Sequence, residues 1–217
     1  MMNSLLQHLI LAVLLIVWCI IHSATISIGC LNRARRTLKR RFAYYRILYN
    51  LISVITLLPL LFYMVNISAV PVFQWSGGLR LFQAVLLGLG AFFLLAGATH
   101  YDGLQFLGIR QILSHTHRAG LSSSGGLHTE GILRVTRHPW YVAGLFVLWA
   151  RDVTSVSLIV NLVLSAYLFI GARLEEKKLV REFGAAYVEY QSQVSMLLPW
   201  KWIVSRMKRI ASRNISR

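Results

Sequence analysis

The chain has 217 residues, of which 56% are hydrophobic and only 14% are charged, and its mean hydropathy is +0.59. A soluble domain carries about a quarter charged residues, so this composition excludes an ordinary soluble globular protein. The net charge of +16 is high enough to suggest nucleic-acid binding. However, residues 1–32 and 47–79 contain no Lys or Arg, whereas cations crowd into the segment between them. We therefore expect the positive charge to face anionic membrane lipids and not nucleic acid.

Three long apolar segments in the first half of the chain predict membrane-spanning helices. They run from Leu5 to about Ile28, from Ile47 to about Val65, and from Leu79 to Ala98. Each approaches the roughly 20 apolar residues that a helix needs to cross ~30 Å of hydrocarbon. The third segment is rich in small residues, which permit close helix packing in a membrane: Gly88, Gly90, Ala91 and Gly97. Residues 1–98 are the predicted N-terminal domain, a three-span bundle.

A polar region and a helical hairpin follow the third span. Residues 99–137 hold several cations and are predicted to be cytoplasmic. Residues 140–150 are apolar but short, since about 11 helical residues reach only ~17 Å. Residues 153–172 form a longer apolar run. We predict an all-α integral membrane protein with about five transmembrane helices, in the inner (cell) membrane. Its N-terminus would lie outside and its C-terminus in the cytoplasm.

The last predicted span continues into a charged segment. Apolar residues of this segment recur near helical spacing, which predicts a C-terminal cytoplasmic amphipathic helix: Leu174, Leu179, Val180 and Phe183. Further on, Trp200 and Trp202 stand among several Lys and Arg residues. This composition is typical of a tail that rests on the inner membrane interface.

Ionisable residues near membrane depth are candidates for function. Arg137 and His138 precede Pro139, which fits the first turn of a helix, and Tyr141 follows within that turn. The N-terminus of a helix beside cations binds carboxylates and phosphates. The alternative is a charged anchor with an interfacial tyrosine.

Two adjacent carboxylates, Glu175 and Glu176, follow the last apolar run in a chain with only seven acidic residues. One carboxylate would neutralise Arg173, and the other is placed to bind a cationic ligand. The alternative is an ion pair at a helix end, which contributes little stability.

Histidines form the remaining polar candidates. His100 and Asp102 follow the third span, and residues two apart do not share a helix face. They would serve one site only if the helix ends before them. His115, His117 and His128 are accompanied by no cysteine, and we expect no metal.

Three motifs, taken in order, resemble the signature of the isoprenylcysteine carboxyl methyltransferase and phospholipid methyltransferase superfamily. They are Arg-His-Pro-Trp-Tyr from residue 137, Arg-Leu-Glu-Glu-Lys-Lys-Leu from residue 173, and Phe-Gly-Ala-Ala-Tyr-Val-Glu-Tyr from residue 183. His22-Ser23 and the His-Tyr-Asp sequence from residue 100 are similar to the bacterial methanethiol S-methyltransferase-like and NnrU-like branch. One departure is Ser195, where the superfamily usually has proline. The resemblance makes residues 99–217 the predicted methyltransferase core.

The resemblance implies an enzyme that uses S-adenosylmethionine as methyl donor. His138, Pro139 and Tyr141 would bind the donor carboxylate. Either Glu176 or Glu175 would meet its ammonium group. Arg137 of the same element would brace the fold or pair with a glutamate. Tyr187 and Tyr190 would close the pocket.

The resemblance also implies catalytic roles, which would fall to Arg173, Glu176, His100 and Asp102. Arg173 would orient the methyl acceptor or stabilise its anion. His100 and Asp102 would assist deprotonation of a thiol, whose free pKa is ~8.5. The expected acceptor is a small or lipophilic molecule, with a thiol favoured. Methylation of lipid amines or prenylcysteine carboxylates, and a non-catalytic role in membrane assembly, remain alternatives.

Overall fold

The computed structural model describes residues 2–100, 103–114 and 126–215, and within them the chain is largely helical. The helices are α1 (Met2–Thr25), α2 (Ile28–Leu38), α3 (Tyr45–Asn66), α4 (Leu79–Ala98), α5 (Gly103–Leu107), α6 (Ile109–Ser114), α7 (Pro139–Trp149), α8 (Ser155–Phe183), α9 (Ala185–Gln193) and α10 (Trp200–Ile215). Two 3-10 helices (Lys39–Tyr44, Gly131–Arg134) and two short strands, β1 (Pro71–Phe73) and β2 (Val153–Thr154), complete the elements. Asp102, His115 and His117, all considered above, lie outside the described residues.

The described helices confirm an all-α membrane protein that crosses the bilayer several times. Four candidate spans are long and apolar enough, by length and composition: Ser4–Thr25, Ile28–Asn66, Leu79–Ala98 and Ser155–Phe183. The third coincides with the predicted apolar run. Helix α7 is also apolar but has only 11 residues, so it is the short arm that the sequence predicted. The five predicted apolar helices are thus four long helices and one short one.

The chain divides into two compact units, each of which is discontinuous in sequence. The first contains the described parts of residues 1–76, 101–123 and 151–167, and the second those of residues 77–100, 124–150 and 168–217. Helix α8 therefore contributes residues to both units. The domain boundary predicted after residue 98 stays a prediction.

The first unit combines an apolar core with one connected polar network. Its buried core residues come from α1, α3 and α8, with one from the segment after α3: Leu11, Leu15, Leu60, Ile67, Val156 and Val160. In the network, the Ser53 hydroxyl donates to the carbonyl of Tyr49 at 2.8 Å, and Nδ1 of His22 therefore donates to Ser53 Oγ at 2.9 Å. The Tyr49 hydroxyl donates to Nε2 of His22 at 2.5 Å. Both ring nitrogens are thus satisfied in the neutral tautomer, as an apolar environment requires.

A two-stranded antiparallel pairing interrupts the helices of the first unit. Strand β1 pairs with β2, with Pro71 opposite Thr154. Beside it, the backbone N–H of Trp75 donates to Asp152 Oδ1 at 2.9 Å, and the Trp75 indole donates to the carbonyl of Arg151 at 3.2 Å. These bonds connect the segment after β1 to the residues directly before β2.

In the second unit, α4 and α7 pack closely because two glycines of α4 face α7. A Cβ atom on Gly97 would lie 2.5 Å from Cδ1 of Trp140, and one on Gly90 would lie 3.1 Å from Cγ2 of Val147. The Trp140 indole donates to the carbonyl of Leu94 at 3.1 Å, so its ring is fixed over Gly97. These contacts confirm the close helix packing expected from the small residues of α4.

We predict that Gly97→Ala lowers the stability of the detergent-solubilised protein by ~1–3 kcal/mol, because the added methyl group overpacks the contact with Trp140. Gly88→Ala is the matched control, since Gly88 lies in the same helix and its Cβ would have no atom within 4 Å. The control should be stabilised by about 0.5–1 kcal/mol through helix propensity. Thermal unfolding followed by circular dichroism measures both changes. Equal melting temperatures for the two variants would contradict the α4–α7 packing.

Candidate active site

The residues that precede α7 are held by the segment that follows α9. The backbone N–H of Arg137 donates to the carbonyl of Ser195 at 3.0 Å, and the Thr136 hydroxyl donates to the carbonyl of Met196 at 3.0 Å. Thr136 and Ser195 form an isolated parallel bridge. Helix α7 then begins at Pro139, as predicted. Proline has no backbone N–H, and it suits the first turn of a helix because an N–H there would have no partner within the helix. Hydrogen bonds to residues 195 and 196 therefore fix the position of the residues that precede α7.

Arg137 uses three donor contacts to connect α8 with the end of α9. Its Nε donates to Oε1 of Glu176 at 2.5 Å, and its Nη1 donates to the carbonyls of Gln191, at 3.1 Å, and Val194. The amide of Gln191 donates to the second carboxylate oxygen, Oε2 of Glu176, at 3.0 Å. The Arg137 and Glu176 side chains are only 7% and 8% exposed. Both charges are thus buried, and both oxygens of Glu176 are bonded.

His138 is the buried cap residue of α7, with 2% exposure. Two carboxylates flank its ring: Nδ1 lies 3.6 Å from Oε2 of Glu175, and Nε2 lies 3.4 Å from Oε1 of Glu176. Both distances are long for a hydrogen bond. Within the described part of the chain, Nε2 has no hydrogen-bond partner. A buried ring nitrogen without a partner is costly, so this atom is a candidate ligand contact.

Glu175 differs from its neighbour because it is not committed to a guanidinium. Its side chain is 29% exposed, and its Oε2 accepts a hydrogen bond from the Tyr141 hydroxyl at 3.0 Å. The phenol ring of Tyr141 packs against Gly171, where a Cβ would lie 3.4 Å from Cε1 of Tyr141. Of the two adjacent carboxylates, Glu175 is therefore the one that can offer a negative charge to a ligand.

Tyr187 and Tyr190 of α9 form part of the buried core of the second unit. Their ring centroids lie 5.7 Å apart, and the Tyr190 hydroxyl donates to the carbonyl of Leu133 at 2.6 Å. Burial raises the pKa of both phenols, and the nearby Glu176 carboxylate raises the pKa of Tyr187 further. Both hydroxyls are therefore neutral donors and not anions.

His100 lies in the same unit, just after α4 ends at Ala98. The Thr99 hydroxyl donates to the carbonyl of Ala96 at 2.8 Å, and Nδ1 of His100 lies 3.1 Å from the same carbonyl. Nδ1 also lies 2.8 Å from the Thr99 hydroxyl oxygen, so a proton on Nδ1 would have two acceptors and would leave the lone pair on Nε2. The ring packs on Gly131, where a Cβ would lie 2.6 Å from Nε2 and where φ is +57°, so only glycine fits.

Arg173 lies on the exposed side of α8. Its guanidinium carbon lies 5.1 Å from the centroid of the Phe169 ring, a cation–π distance. Among the described residues it forms no ion pair with Glu175 or Glu176. The expectation that one glutamate neutralises Arg173 is therefore wrong: Arg137 holds Glu176, and Tyr141 holds Glu175.

The structure thus brings together most of the predicted site residues. Those in mutual contact are Arg137, His138, Tyr141, Glu175 and Glu176. Pro139 begins the helix that positions them, while Tyr187 and Tyr190 support it from the core. Within the described part of the chain, His100 and Arg173 form no ion pair with either glutamate. Asp102 lies outside the described residues.

Sequence reasoning missed Gln191 and Thr136. Gln191 contributes both its amide and its carbonyl to the Arg137–Glu176 pair. Thr136 directly precedes Arg137 and Gln191 directly follows Tyr190, but neither side chain carries a charge or a ring that would mark it as functional. Ser195, the departure from the superfamily pattern, accepts a hydrogen bond from the backbone N–H of Lys201 at 3.0 Å through its hydroxyl. Proline has no such acceptor in its side chain.

Comparison with known proteins gives a family and several relatives. The family model described as "NnrU protein" matches residues 10–193. A methanethiol S-methyltransferase from Pseudomonas sp. is 32% identical over 147 residues, covering 65% of this chain and 55% of the relative. One from Pseudomonas deceptionensis is 34% identical over 129 residues, covering 58% of this chain and 49% of the relative. Methanethiol S-methyltransferase 2 of Bradyrhizobium diazoefficiens is 31% identical over 173 residues, covering 76% of this chain and 66% of the relative.

The aligned segments cover about half to two thirds of the length of these relatives. No solved structure matches the chain.

We predict that Glu176→Gln destabilises the ligand-free protein by on the order of 3 kcal/mol, because it leaves the buried Arg137 charge without its counter-ion. Glu175→Gln is the control, since it makes the same change one residue away at a half-buried position and should cost less than about 1 kcal/mol. Thermal unfolding in detergent compares the two variants. The ion pair is not a structural element of the site if Glu176→Gln melts at the wild-type temperature.

Proposed function

The chain belongs to the NnrU family, and on that premise we propose that it is an integral membrane methyltransferase that transfers the methyl group of S-adenosylmethionine to a thiol. The relatives named methanethiol S-methyltransferase favour a small thiol as the acceptor. The observation that carries the proposal is the presence in one site of a buried, unpartnered His138 nitrogen and of the Glu175 carboxylate, which is bonded to the Tyr141 hydroxyl and to no guanidinium among the described residues. The two groups suit the two charged ends of an amino acid.

The residues present fit the charges of the donor. S-adenosylmethionine carries one negative group, a carboxylate, and two positive groups, an ammonium and a sulfonium, so its net charge is +1. In the site, Arg137 balances Glu176, and beside a neutral His138 ring the charge of Glu175 has no counter-ion among the described residues. One negative charge thus faces a ligand with one net positive charge, which is the complementarity that a charged ligand requires.

We assign the donor contacts as follows. His138, at the start of α7 and beside Pro139, would hold the carboxylate, because a helix N-terminus attracts anions. Glu175 would bind the ammonium, with Tyr141 orienting its carboxylate. Arg137 and Glu176 would keep the α7 entrance and α8 in place. Tyr187 and Tyr190 would support this wall from the core.

When bound, S-adenosylmethionine supplies an electrophilic methyl group on its sulfonium. The residues of this chain would position the acceptor, and positioning accounts for much of the acceleration of a displacement reaction. Exposed Arg173 would orient the acceptor and stabilise its anion. The lone pair on Nε2 of His100 would accept the thiol proton. Asp102, which lies outside the described residues, is proposed to assist it.

The proposed setting is the inner membrane, with the N-terminus outside and the C-terminus in the cytoplasm. The segments rich in Lys and Arg, residues 33–46 and 200–217, would then both face the cytoplasm, as the positive-inside rule requires. The donor is a polar cytosolic molecule, so a cytoplasmic site agrees with this orientation. Lipids would surround the apolar helices.

A binding measurement tests the donor site. We predict that Glu175→Gln and His138→Ala each raise the dissociation constant for S-adenosylmethionine about tenfold or more, because each removes a charge-assisted hydrogen bond that contributes ~1.5–3 kcal/mol. Glu182→Gln is the control, since Glu182 is an exposed carboxylate of the same helix. Calorimetry on detergent-solubilised protein, with melting curves to confirm folding, gives the affinities. Wild-type affinity in both site variants would refute the donor assignment.

Arg173 separates an acceptor role from a structural one. We predict that Arg173→Lys lowers turnover about ten- to a hundredfold, or ~1–3 kcal/mol of barrier, because a point charge cannot reproduce the planar two-pronged guanidinium. The affinity for S-adenosylmethionine should stay near that of the wild type. Arg181→Lys, the same change at another exposed position of α8, should leave turnover intact. Full turnover by Arg173→Lys would exclude a role for this guanidinium in orienting the acceptor.

A further inference from the structure

Helix α10 (Trp200–Ile215) separates apolar and cationic residues onto two faces. Its 16 residues would extend about 24 Å at 1.5 Å each. Apolar residues follow the spacing i, i+3, i+7 and i+10, which places them on one side: Trp200, Ile203, Met207 and Ile210. Cations lie on the other side and at its edges: Lys201, Arg206, Lys208 and Arg209. No acidic residue occurs in residues 200–217.

The apolar face of α10 is exposed in the structure. Trp200 is 69% exposed, Met207 is 64% and Ile210 is 61%. A face of this kind needs an apolar environment to cover it. A second copy of the same helix would bring two cationic segments together without any acidic partner, which is unfavourable. A membrane surface that contains anionic lipids offers both an apolar layer and negative charge.

The position of α10 is fixed at its first turn. The Lys201 ammonium donates to the carbonyls of Gln191, at 2.8 Å, and Ser192, at 2.7 Å, at the end of α9. The Arg206 guanidinium lies 5.3 Å from the ring centroid of Trp202 on the neighbouring turn. Trp and Arg are residues that membrane interfaces favour. The helix is therefore an ordered part of the second unit with one face uncovered.

We propose that α10 is a membrane-surface helix that binds anionic lipid headgroups. Its apolar face would lie among the acyl chains at the interface, while Arg206, Lys208 and Arg209 would contact phosphate groups. This inference concerns the membrane contact of the chain and does not rest on the proposed methyl transfer. The interaction is electrostatic in part, so it depends on lipid charge and on salt.

Amide hydrogen exchange of the full-length protein tests the proposal. The protein is reconstituted in nanodiscs of phosphatidylcholine alone and of an equal mixture of phosphatidylcholine and phosphatidylglycerol. We expect amides of residues 203–215 to exchange about tenfold more slowly, or slower still, in the mixed lipids at low salt, given the gain per cation near an anionic surface. The difference should shrink in high salt. This experiment requires no substitution, so its result tests the proposal even if a variant fails to fold.

A charge variant with a matched control sharpens the test. The triple variant Arg206→Gln, Lys208→Gln, Arg209→Gln should lose the dependence on anionic lipid. The triple variant Arg33→Gln, Arg36→Gln, Arg40→Gln removes the same number of charges from exposed positions elsewhere. In this control, the exchange of α10 should still depend on anionic lipid. Equal exchange of α10 in both lipid compositions, whether fast or slow, would overturn the proposal. Slow exchange that is insensitive to lipid and salt would point instead to burial against a second copy.

Discussion

The buried ion pair between Arg137 and Glu176 determines the geometry of the candidate site. Removing two charges from water is costly, and the cost is offset only when every donor and acceptor finds a partner. Arg137 meets this condition by binding Glu176 on α8 and the carbonyls of Gln191 and Val194 at the end of α9. Since Arg137 itself precedes α7, one guanidinium fixes three segments relative to one another. His138 follows Arg137 in the sequence and Glu175 precedes Glu176, so the ion pair also fixes the positions of these two residues.

Helix periodicity explains why only one of the two neighbouring glutamates joins this ion pair. Consecutive helical residues point in directions about 100° apart, as a period of 3.6 residues per turn requires. Glu176 therefore faces Arg137 and Gln191 in the interior, while Glu175 faces Tyr141 at a more exposed position. The buried carboxylate supports the fold, and the half-buried one is available to a ligand. The Gln191 carbonyl also accepts from Lys201, which connects the first turn of α10 to the same cluster.

The sequence predicted those features that depend on local pattern. The apolar run of residues 79–98 became α4 with the same bounds, and Pro139 marked the start of α7. The residues alone marked Arg137-His138 and Glu175-Glu176 as two separate candidate groups, and the family resemblance placed them in one site. The sequence did not predict which side chains pair with one another, because pairing depends on tertiary contacts between distant segments. Arg173 was expected to pair with a glutamate but lies over Phe169 instead. Gln191 was missed, because an uncharged residue outside any motif gives no signal.

The most direct test of the proposed function is methyl transfer from isotopically labelled S-adenosylmethionine by the purified protein in lipid. The acceptors to compare are a small alkyl thiol, a prenylcysteine and an aminolipid, with Glu175→Gln as the negative control. We expect the label in the methyl thioether formed from the thiol, no more than background label in the other two acceptors, and much less thioether with the variant. Label that appears only in the lipid or the prenylcysteine, or in no acceptor despite binding of the donor, would contradict a thiol methyltransferase.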